Sequence, residues 1–147
     1  MHPLLVLFHS VIRYFVLIFL IVVIVRSLQG LTGKKAFTGN DNKLGTWLLM
    51  LTHLQFLIGL ALYFVSPAVI FGENTMKDAT TRYWTVEHVL MMTMAVGLIT
   101  AGRVIAKRQT EDATKHRRML VFCSMALILI LGAIGTSGRG FFSLPSY

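Results

Sequence analysis

Charge is scarce in this chain. Only 14% of its 147 residues are Asp, Glu, Lys or Arg, where a soluble domain carries about 25%. Acidic residues are scarcer still, six against fourteen Lys and Arg. There is one cysteine, Cys123, so neither an internal disulfide nor a CxxC redox pair is available. Period-two alternation is missing from the apolar runs, which argues against a transmembrane strand barrel. No nucleophile–base pair, phosphate loop or soluble active-site segment is recognisable, and this argues against an independent enzyme. Together these deficits exclude an ordinary soluble domain, a disordered tail and a disulfide scaffold.

What the chain does have is apolar residues, 55% of the total, gathered in blocks of about 20, the length that crosses a bilayer as a helix. The blocks run over residues 4–28, 45–65, 84–106 and 119–135. The pattern predicts an all-α membrane protein, an up-down-up-down four-helix bundle built as one transmembrane unit over residues 1–147. The fourth span is only just long enough. The formal charge of +8 would raise nucleic acid as a partner in a soluble protein, but here it reads as loop charge that sets topology and touches anionic lipid. Arg26, Lys34, Lys35 and Lys43 flank the first loop; Arg103, Lys107, Arg108, Lys115, Arg117 and Arg118 flank the third. The middle loop holds only Lys77 and Arg82, and the tail holds Arg139. Both basic loops are therefore expected inside, with both termini outside. The first apolar run has no basic n-region and no cleavage site, so it reads as a retained span.

The informative residues are those that do not belong in lipid, because ionisable groups at membrane depth are costly and usually functional. His9 and Arg13 lie in the first span, His53 in the second, and Glu87 and His88 in the third. His9 is 17 residues from Arg26, roughly 25 Å along a helix, and His88 is 15 residues from Arg103, roughly 22 Å. The two histidines are thus nearly level in the outer leaflet, on spans expected to be diagonal partners. Two level imidazoles on facing helices are what a b-type haem needs as axial ligands. A plain interhelical hydrogen-bonding role stands beside that reading, and for His53 it is the first choice. Arg13 is expected to reach outward, to a haem propionate or to Glu87. Trp84, Met91, Met92, Ala95 and Gly102 share the His88 stripe, with Ala95 and Gly102 leaving space. Span two carries a second polar stripe, Thr52, Gln55, Gly59 and Tyr63, where Gly59 allows close contact with a flat ligand. His116, within Lys115-His116-Arg117-Arg118, reads as a solvated interfacial residue.

The segments His9-Ser10-Val11-Ile12-Arg13-Tyr14, Asp41-Asn42-Lys43-Leu44, Thr52-His53-Leu54-Gln55 followed by Gly59, and Val86-Glu87-His88 with Gly102-Arg103 resemble a family of small bacterial four-span membrane proteins labelled "cytochrome b". The resemblance covers nearly the whole chain. Span two is also similar to the His/Gln/Gly pattern of haem A synthase and cytochrome b561-like bundles. The resemblance implies haem b binding at two of His9, His53 and His88, and a place in the bacterial inner membrane. Unlike the cytochrome b of quinol-oxidising complexes, the chain has no pair of histidines on one helix, which argues against a two-haem wire.

The leading expectation is a small b-type cytochrome that passes single electrons between quinol, or a larger respiratory complex, and an acceptor. His9 and His88 are its preferred ligands and His53 the substitute. Arg13 is the charge partner, and Gly59 and Ala95 give the ligand room. A haem-free accessory subunit or assembly factor of a larger membrane complex is the alternative. Proton or small-ion handling through Glu87, His53 and Arg13 is a third.

Overall fold

The computed structural model describes residues 1–137; Arg139 lies outside them. Helix α1 spans His2–Thr32 and α2 Gly39–Val65. A short helix α3, Ala79–Arg82, runs through a π-helical turn, Tyr83–Glu87, into α4, His88–Lys107. Helix α5 spans Asp112–Thr136. Counting α3 to α4 as one, four helices are long and apolar enough to cross a membrane, and the described residues contain no strand.

All four helices overrun the apolar blocks, because a helix ends at its caps and not where hydropathy falls. Helix α2 starts six residues before its apolar run, at a capping box. Asp41 Oδ2 accepts from Thr38 N at 2.9 Å, and Thr38 Oγ1 accepts from Asp41 N at 3.4 Å. Ser66 closes α2 and Pro67 prevents its continuation. Asp78 opens α3 by accepting from Thr81 Oγ1 at 2.7 Å and from Thr81 N at 2.8 Å, and these bonds hold its carboxyl below the usual carboxylate range. Helix α5 takes in the whole Lys115–Arg118 run, so the fourth span has 25 residues and is not marginal.

The helices alternate in direction. Helix α1 packs on α2 and α5, and α4 packs on α5; the α2–α4 side is the most loosely closed. Helices α1 and α4 therefore face one another across a diagonal. Leu20, Val23, Leu48, Ile99, Ala106, Met119, Cys123 and Ala126 fill the core. The outer surface is apolar instead of polar: Phe15, Ile18, Leu57, Leu90 and Ile128 are all exposed. Such a surface suits lipid, where backbone polar groups must be satisfied within each helix.

The end that carries the basic loops is tightly closed. Arg26 Nε meets Asp41 Oδ1 at 2.7 Å and ties α1 to α2. Arg103, read from sequence as an interfacial charge, is 97% buried at 3% exposure and bonds Asn42 and Thr46 of α2. His116 is likewise buried, not solvated. Its Nε2 meets the Lys35 carbonyl at 3.2 Å, and its ring lies on the bare backbone of Gly30. The sequence reading missed this because the cause sits on a different helix: Gly30 has no Cβ, and a Cβ there would collide with the ring. Gly97 and Gly132, although inside spanning helices, border open space.

Candidate functional site

The opposite end is hollow. A cavity of about 540 Å³ lies there, within the range of roughly 300–1,000 Å³ common for small-molecule sites. Along α2 it is lined from Thr52 to Ser66, roughly 21 Å of helix. The α4 wall begins in the π turn at Trp84 and ends at Ile99. The cavity is lined mainly from α2 and α4, the most loosely joined of the packed helix pairs, and its walls are mainly apolar.

His9 and His88 project into it from the diagonal helices α1 and α4. Their ring centroids are 6.4 Å apart and their planes are inclined at 71°. Two collinear metal–imidazole bonds of about 2 Å, with roughly 1.1 Å from nitrogen to ring centre, place centroids about 6.2 Å apart. The inclination is no obstacle, since each imidazole can turn about its own bond. The pair thus has the separation of two ligands on a single ion. Among the described residues no three His, Cys, Asp or Glu side chains gather into a metal cluster. A site with two axial imidazoles requires only two, the remaining ligands coming from a macrocycle.

The two histidines differ in their surroundings. His88 follows the π turn, whose wider winding sets Tyr83 and Trp84 beside its ring at centroid distances of 5.8 and 5.3 Å. Such turns recur at functional sites. The same winding aligns Arg82 with Glu87, five residues on, in an ion pair of 2.8 Å. Glu87 therefore has Arg82 as a partner, which sequence reasoning did not foresee. Tyr83 Oη donates to the Ala133 carbonyl at 2.6 Å and lies 3.4 Å from His88 Nδ1. Its single proton is committed to Ala133, so the long contact with His88 runs from N–H to oxygen. That places the His88 proton on Nδ1 and leaves Nε2 with its lone pair.

His9 packs against Gly59, where a Cβ would stand 3.1 Å from its Cε1. Its Nδ1 is buried without a hydrogen-bond partner among the described residues. So are Gln55 Oε1 and Thr52 Oγ1, which belong to residues lining the same cavity. Gln55 spends its Nε2 on the His9 carbonyl at 2.9 Å, which levels α2 with α1. Each buried polar group left unpaired costs about 1–3 kcal/mol. Three around one cavity are a pattern that a bound group would relieve.

Gly59 and Ala95, expected to leave space, both line the cavity, as do Gln55, Thr52 and Tyr63 of the same α2 stripe. His53 is not brought there. It lies on the exposed side of α2 and bonds Thr100 Oγ1 at 3.0 Å. Thr100 donates its own proton to the Val96 carbonyl, so His53 is the donor in this interhelical link. Arg13 is not among the lining residues; its Nη2 donates to Tyr14 Oη at 3.2 Å. Gly102 faces Phe122 of α5 instead of the cavity. His2 and Tyr83 were missed, whereas Trp84, on the His88 stripe in the sequence, does line the cavity. His2 looked terminal, and no sequence signal marks a π turn. Comparisons with protein families, with curated proteins and with solved structures find no match for this chain.

Proposed function

We propose that this multi-pass membrane protein is a small b-type cytochrome that holds one haem between His9 and His88 and transfers single electrons. The observation that carries the reading is the pair of level imidazoles, 6.4 Å apart, facing each other across a cavity between diagonal helices. The unpaired polar atoms of His9, Gln55 and Thr52 support it, as does the absence of a side chain at Gly59. When bound, the haem supplies one-electron chemistry at a potential set by its ligands and its surroundings.

The chain's residues divide that work. His9 and His88 offer the ring nitrogens. Tyr83 fixes the orientation and tautomer of His88. Gly59 and Ala95 keep the walls clear, and the apolar lining excludes water and favours the less charged redox state. Arg13, one turn from His9, adds positive charge near the site. With the basic loops on the cytoplasmic side of a bacterial inner membrane, the site lies in the outer leaflet, with both termini outside. Quinol or a larger respiratory complex at that surface is the electron source this placement favours.

A visible spectrum of the protein purified from haem-replete cells tests the reading. A Soret band and a sharp α band on reduction are expected, and His88→Ala is expected to lose both. A folded wild-type protein without colour would overturn the proposal. Co-migration of that colourless protein with a large complex would establish the accessory-subunit alternative.

A further inference from the structure

The two cavity histidines are held with unequal firmness. His88 is clamped through Tyr83 to the Ala133 carbonyl on α5, and Trp84 flanks its ring. His9 has no matching clamp. Its Nδ1 has no hydrogen-bond partner among the described residues, and its ring lies against the bare Gly59 backbone with its centre 6.4 Å from that of His88. The cavity continues beside His9 along His2, Pro3 and Val6 of the same helix, so the ring has room to swing aside.

A ligating histidine whose second nitrogen has no acceptor binds its metal roughly 10–100-fold more weakly than one that has it. Resting on the haem reading above, we propose that His9 is an exchangeable ligand whose place is taken by a small neutral diatomic molecule while His88 stays bound. The exchange breaks the bond to His9 and forms one to the incoming molecule. No electron moves, and His9 leaves as the neutral imidazole with its Nδ1 proton. The chemistry of the cavity suits a neutral guest, since its apolar walls disfavour an anion and the polar atoms of Thr52 and Gln55 are uncharged.

Carbon monoxide added to the dithionite-reduced, full-length protein is the probe. The inference expects the Soret and α bands to shift as the gas is titrated in. His9→Ala is expected to keep its haem with a high-spin spectrum, while His88→Ala loses it, a difference in retention of at least about tenfold. Wild-type bands that stay fixed under saturating carbon monoxide would overturn the exchange, even if either variant failed to fold. A His9→Ala protein that folds but is as colourless as His88→Ala would do the same. Both of those results leave the cytochrome reading intact, whereas a colourless wild type removes the cytochrome reading itself.

Discussion

At the basic end of the bundle, His116 lies on Gly30, bonds the Lys35 carbonyl and does not line the large cavity. At the other end, His9 lies on Gly59 beside about 540 Å³ of open space. Both rings use a glycine on a neighbouring helix, and both leave Nδ1 buried and unpaired. An orphaned nitrogen therefore does not define a site. What separates the two ends is packing. Around His116 the helices close, with Arg103 stitched to Asn42 and Thr46 and Arg26 paired with Asp41. Around His9 they part, and a second histidine stands across the gap.

The comparison predicts that the two glycines fail in opposite ways. Gly30→Leu should have the larger effect, because its first carbon already collides with a ring that is buried and held by the Lys35 carbonyl. Overpacking of that kind costs about 1–3 kcal/mol, and here the upper end is expected. A fall in the thermal midpoint of the detergent-purified protein would register it. Gly59→Leu should lower the midpoint much less, since its side chain enters existing space and the His9 ring, 3.1 Å from its Cβ, has only to give by a few tenths of an ångström. The ligand should be lost instead, by at least about tenfold, or about 1.4 kcal/mol. Equal loss of stability in both variants would abolish the distinction between a closed and a hollow end.

Much of this geometry was legible in the sequence. Helical rise is constant, so counting from the flanking basic residues placed His9 and His88 at one depth, and the structure does bring them together. The three-and-four spacing of Thr52, Gln55, Gly59 and Tyr63 put them on one face, and that face is a cavity wall. The illegible parts depend on contacts between helices. Lys115-His116-Arg117-Arg118 reads as a solvated run until Gly30 of α1 is seen to accept the ring. His53 has the burial cost of any membrane histidine, yet Thr100 of α4 satisfies it outside the cavity. The π turn that mounts Tyr83 against His88 adds one residue to a helical turn, and hydropathy carries no trace of it.

The smallest effect concerns Thr52, and its sign is the informative part. Thr32, Thr46, Thr93, Thr100 and Thr136 each donate to the carbonyl four residues back, the usual refuge of a hydroxyl inside a helix. Thr52 is 3% exposed and makes no such bond; its hydroxyl is sealed and unpaired at the cavity wall. If the rotamer exists for packing alone, Thr52→Val removes an unsatisfied group at nearly constant volume and should be neutral or stabilising by up to about 1 kcal/mol, with or without ligand. If it exists for the cavity's occupant, the same substitution stabilises the empty protein and weakens the loaded one. Thermal midpoints measured on haem-depleted and haem-replete preparations should then move in opposite directions. Parallel shifts would reduce Thr52 to a packing residue and confine the hollow end's chemistry to the level of His9 and His88.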